Sequence, residues 1–161
     1  MHTQLPKPEL SSDSDLWIEK QPVLARLYLD DGTVLPVTLF LAPHASVHPG
    51  PQSVTDLFDE KDPLLRCRTT SGEFLIVGKK AIAAIGVSPN RHDELGFRRP
   101  IPAQIIMSGG HQIGGELLVN GPVGRRVSDL LNDPDPWLCA RNGETRLWLR
   151  KSRILTVYPS D

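Results

Sequence analysis

Four aspartates invite a catalytic reading. The stretches "SVTDLFDEKDPLL" (53–65) and "RVSDLLNDPDPWL" (126–138) align without a gap and match Asp56 to Asp129 and Asp62 to Asp135. Carboxylates in duplicate surroundings are the equipment of general acid and base chemistry. Local physics offers a simpler account. Asp56 and Asp129 each follow Thr55 or Ser128, read here as a helix N-cap, and fall in the first turn, where the helix dipole favours negative charge. Asp62 and Asp135 precede Pro63 and Pro136, which force extended backbone and end the helix. The expectation is four structural aspartates, no catalytic residue and no enzyme.

The histidines lead to the same place. His44 and His48 have the i, i+4 spacing of helical metal ligands, but "APHASVHPGP" carries three prolines and cannot be a helix. No metal and no cofactor are expected. "SGGHQIGG" is glycine-rich yet sits in a hairpin turn, so it is not a phosphate-binding loop. Cys67 and Cys139 are too few for a disulfide framework and fall one position apart in the alignment, which argues for a reducing, cytoplasmic setting.

The third constellation is basic and aromatic. In "RLWLRKSRI" the alternation of a strand puts Arg146, Trp148 and Arg150 on one face, with Arg141, Lys151 and Arg153 nearby. The matching face upstream carries Phe74, Ile76 and Gly78. Either Trp148 is buried against the first half with its arginines at the rim, or the six form an interaction surface. Phe74 and Ile76 are the candidate contact between the halves.

The elements that position these residues follow from the duplication. The match extends upstream, where "ARLYLDDGTVLPVTLFL" lies on "AQIIMSGGHQIGGELLV", and downstream, where "FLIVGKKAI" lies on "RLWLRKSRI". A repeat of this length decides the architecture before any local reading does. Alternating runs meet at Asp31-Gly32 and at Gly109-Gly110, the signature of a tight hairpin. A helix of one or two turns follows, and then a strand pair turning at Ser71-Gly72 or Asn142-Gly143. Val54, Leu57, Phe58 and Leu65, with Val127, Leu130, Leu131 and Leu138, would plug one end of each unit.

The fold class expected is mainly β: two tandem small antiparallel β-barrel or bent-sheet modules, each ββαββ with one short helix. Residues 1–15 read as a disordered tail, 16–88 as the first module, 89–100 as a linker and 101–159 as the second module. The tail is rich in Pro, Ser and acidic residues and has no basic start with an apolar core, so it does not read as a secretory signal. Apolar runs are too short for a transmembrane helix, so no membrane insertion is expected.

The second half, with its "DG"-type hairpin, "RVSDLLN", "DPWL" and "KSRILTV", resembles a small uncharacterised bacterial domain found singly and in tandem. More distantly the pattern is similar to Sm-like and SH3-like small barrels, which implies RNA or peptide binding. Here the helix lies between the second and third strands, whereas an Sm-like chain begins with one.

Net charge is −1, but the halves differ: residues 1–97 carry 9 Lys and Arg against 13 Asp and Glu, and residues 98–161 carry 9 against 6. Complementary potentials of this kind orient one half on the other, or one chain on the next, head to tail. Units this small are also marginal alone. The functional expectation is a non-enzymatic protein-interaction adaptor or regulatory subunit with a protein partner and, as a further option, a homo-oligomer. The alternative is RNA or single-stranded DNA binding through Arg141, Arg146, Trp148, Arg150, Lys151 and Arg153.

Overall fold

The computed structural model describes residues 20–88, 99–119 and 126–160. The expected tail, and the expected linker up to residue 98, lie outside them. In the first half, β1 (Gln21–Leu29) and β2 (Val34–Leu41) turn at Gly32, whose φ of +95° is what the Asp-Gly pair supplies. Then come α1 (Val54–Asp59), β3 (Leu64–Thr69), β4 (Phe74–Gly78) and β5 (Ile82–Val87). The second half repeats this as β6 (Arg99–Met107), β7 (Gln112–Val119), α2 (Val127–Asn132), β8 (Trp137–Asn142), β9 (Thr145–Arg150) and β10 (Ile154–Pro159). β6 therefore begins two residues inside the stretch read as linker.

Two expectations are corrected. Each half is ββαβββ, because a 3-10 turn at Lys79–Ala81 or Lys151–Arg153 cuts the last run into two strands. And the strands form one open, ten-stranded antiparallel sheet in the order β10-β6-β7-β8-β9-β5-β1-β2-β3-β4, where two separate barrel or bent-sheet modules are expected from the sequence.

Within that sheet the two halves have the same internal order, fifth-first-second-third-fourth. Their registers also correspond. Leu27↔Leu35 becomes Ile105↔Ile113, Thr38↔Arg68 becomes Glu116↔Arg141, Leu65↔Val77 becomes Leu138↔Leu149, and Leu27↔Ile85 becomes Ile105↔Val157. Register is fixed by which side chains must face the core, so matched apolar patterns select matched pairings.

The short helices are held by the repeated motif. Ser53 caps α1 by accepting from the Asp56 N–H, and the Asp56 carboxylate accepts from the Ser53 N–H at 2.9 Å, a reciprocal capping box. In α2 the Asp129 carboxylate accepts from the Arg126 N–H at 2.8 Å. The caps are thus Ser53 and Arg126, not Thr55 and Ser128. Asp62 and Asp135 accept from the N–H of Leu64 and Trp137, each at 3.0 Å, closing the turn that starts β3 or β8.

Two apolar clusters fill the fold, and they cross the boundary between halves. One gathers Leu27, Val37, Leu39, Val54, Phe58, Leu65, Cys67, Ile82 and Ile85 of the first half, and takes in Trp137 and the flank of Trp148 from the second. The other gathers Ile105, Met107, Leu117, Leu130, Leu138, Leu147 and Leu149, and takes in Ala83 and Ala84 from β5. Among the described residues no helix is long and apolar enough to cross a membrane.

Candidate interaction surfaces

The halves join where β5 lies antiparallel to β9, pairing Ala84↔Leu149, Ile85↔Trp148, Gly86↔Leu147 and Val87↔Arg146. Every residue of β5 is buried as a result, flanked by β1 on one side and β9 on the other. Phe74 and Ile76 are elsewhere: β4 is the outermost strand, and both side chains are exposed, at 59% and 48%. The strand of the first half that pairs with the second is β5, not the β4 that carries Phe74 and Ile76.

The six basic and aromatic candidates do not share one open face. Arg146 is 2% exposed and donates from Nη1 to the Cys139 sulfur at 3.7 Å. Trp148 packs on the apolar cluster of the first half. Arg150 reaches across the joint, donating to the carbonyls of Ile82 at 2.9 Å and Lys79 at 3.2 Å, while its guanidinium lies 4.6 Å from the centre of the Trp137 ring. Burial, with Arg153 close by, pushes the Arg150 pKa below its ordinary value. Arg153 donates to Asp30 at 3.1 Å and to the Lys80 carbonyl at 3.0 Å. Arg141 binds Glu116 on the neighbouring strand through both Nε and Nη2. Lys151 donates to the Asp133 carbonyl at 3.0 Å.

Lys151 has a counterpart that the duplication made visible without revealing its task. Lys79 is 7% exposed and donates to the Leu57 and Glu60 carbonyls, at 3.1 and 3.2 Å, at the C-terminal end of α1. Lys151 does the same at Asp133, the residue that ends α2. Each short helix is therefore closed at its C-terminus by a lysine from the 3-10 turn, where a cation suits both the free carbonyls and the dipole.

Sequence reasoning missed Trp137. It takes the place of Leu64 in the alignment, packs edge-on to Phe58 with ring centres 6.0 Å apart, and donates from its indole to Asp59 at 3.3 Å. It is 6% exposed, whereas Leu64 on the outer side of the first half is 41% exposed. The signal was the divergence itself, a tryptophan where the other copy has leucine. The hairpin tips also meet: Ser108 donates to Asp30, and His111 Nε2 lies 2.7 Å from the Leu29 carbonyl.

Of the other candidates, His48 bonds through Nε2 to Asp56 and through Nδ1 to the Pro49 carbonyl, in an exposed loop. His44 takes no part in a ligand cluster, and among the described residues no three His, Cys, Asp or Glu side chains come together as a metal site would require. Cys67 and Cys139 are not joined in a disulfide, and burial pushes the Cys67 pKa up.

Against protein-family models, curated proteins and solved structures, the chain finds no match. What the geometry offers is two sheet edges. β4, "FLIVG", and β10, "ILTVYP", are the terminal strands, and neither carries a charged residue. Soluble proteins ordinarily guard such edges with Lys or inward charges. Here Pro159 at the end of β10 is the single residue of that kind on either strand.

Proposed function

We propose that this chain is a non-enzymatic protein-interaction adaptor made of two copies of a small β unit, and that it takes an extended protein segment along β4. The observation that carries this reading is the uncharged outer edge of β4 with Phe74 and Ile76 exposed, opposite Arg68 and Arg66 on β3, and Leu64 exposed on the same strand pair. An added strand would gain main-chain hydrogen bonds from the edge and apolar contacts from alternate side chains. Nucleic-acid binding has less to draw on, since Arg141, Arg150, Lys151 and Arg153 already hold a carboxylate or a carbonyl of the protein.

The test is binding of partners recovered with the immobilised chain and then purified. Ile76→Lys places a charge on the edge and is expected to weaken such a partner by about tenfold or more, the loss of roughly 1.4 kcal/mol. A purified partner that binds wild type and Ile76→Lys equally well would remove β4 from the account.

A further inference from the structure

The joint between the halves has an unfilled copy at each end of the molecule. Internally, the fourth strand of the second half (β9) pairs with the fifth strand of the first (β5). The fourth strand of the first half is β4 and the fifth strand of the second is β10, and these are the two free edges. From this geometry we infer that the chain associates head to tail with a second copy of itself, β4 of one molecule pairing antiparallel with β10 of the next. The inference rests on the reading of β4 as a binding edge and names the partner.

Register and burial support it. Carrying the internal pairs through the alignment sets Val77 opposite Thr156, Ile76 opposite Val157, Leu75 opposite Tyr158 and Phe74 opposite Pro159. The exposed apolar residues of these edges are the counterparts of buried or half-buried joint residues. Leu64, Phe74 and Ile76 correspond to Trp137, Arg146 and Trp148; Leu155 and Tyr158, at 62% and 60%, correspond to Ala83 and Gly86. β5 is buried throughout while β10 has no buried residue, although their positions in the unit are the same.

The intermolecular joint is the weaker of the two. Gly78 stands where Arg150 stands, so the two donations to carbonyls are lost, and Asp31 stands at the position of Gly109 in the tip contact. Pro159 has no N–H to give and ends the ladder. Association is therefore expected to depend on concentration. A contact of this heterologous kind makes a ring if its rotation closes and a filament if it does not.

The experiment uses the full chain in sedimentation and light scattering, with folding of each variant checked by circular dichroism. Between about 1 and about 300 µM the weight-average mass of wild type is expected to rise at least about twofold, as mass action requires. Ile76→Lys blocks one edge and Val157→Lys the other, so each alone stays monomeric. Mixed, they still have one good edge apiece and form a 1:1 dimer that goes no further. Should either variant misfold, Ile76→Cys mixed with Val157→Cys is expected to form a disulfide-linked dimer, which Leu24→Cys in place of Val157→Cys does not. Wild type that stays monomeric over the whole range overturns the inference, and does so even if Ile76→Lys abolishes binding of a different protein, which would leave the adaptor reading standing. Association that survives in Val157→Lys alone also overturns it, because β4 would then be pairing with β4.

Discussion

Replacing Gly109 by alanine tests the contact between the two hairpin tips, and its neighbour supplies the control. Gly109 has φ +86°, and a Cβ there would stand 2.6 Å from the Leu29 carbonyl oxygen, 2.9 Å from the Gly32 nitrogen and 3.0 Å from the Asp30 oxygen. Gly110 has φ +81° with nothing within 4 Å. Left-handed backbone costs an alanine about 1–2 kcal/mol at either position. Only Gly109→Ala adds the intrusion of a methyl group on packed backbone, worth about 1–3 kcal/mol more. The expected losses are about 1–2 kcal/mol for Gly110→Ala and about 2–5 kcal/mol for Gly109→Ala. At this chain length each kcal/mol moves Tm by about 2–4 °C, so paired thermal scans separate the variants. Denaturant titration then gives the difference at one temperature. Equal destabilisation of the two would refute the tip-to-tip contact, and with it this part of the joint.

Two further predictions concern the repeated motif. Lys79→Met keeps the stem but leaves the Leu57 and Glu60 carbonyls without their donor, and is expected to cost about 1–3 kcal/mol by denaturant titration; Lys151→Met, which removes the bond to the Asp133 carbonyl from a less buried site, is expected to cost less. The His48–Asp56 pair makes stability depend on pH. Its bonds to the Pro49 carbonyl and to Asp56 raise the His48 pKa, so its contribution is whole below the ordinary histidine value of about 6.5 and is lost as pH rises through the raised one. Although partial burial opposes ionisation of Asp56, its bonds with Ser53 and His48 prevail and lower its pKa, so its own contribution is lost only as pH falls through that lowered value. His48→Ala is thus expected to be less stable than wild type near about pH 5 and to converge with it near about pH 9; a gap independent of pH would contradict the assignment.

Much of each half was legible because its determinants are local. The turns at Asp31-Gly32 and Gly109-Gly110 declare themselves through glycines that take positive φ, and the Asp-Pro pairs close turns through their own side chains. The capping box was legible too, as Ser53 three residues before Asp56, although the Thr55 reading passed over it. What the chain does not declare locally is which strand lies beside which. Period-two alternation tells a strand's inner face from its outer one, and is silent about its lateral neighbour. Alternation puts Arg146 and Trp148 on one face, and the β5–β9 pairing sets both opposite β5 at the joint. For the same reason Phe74 and Ile76 were placed at the contact between halves when they sit on the far edge.

The traded side chains, Trp137 given to one cluster and Ala83 with Ala84 given to the other, leave the chain without a seam. Local opening normally follows the boundaries at which a fold's contacts thin out. Here the strand that would part first, β5, belongs to both interiors at once. Heat or denaturant that frees one half strips the lid from the other, so the two melt together rather than in sequence, and a chain built of small marginal units behaves under stress like a single larger one.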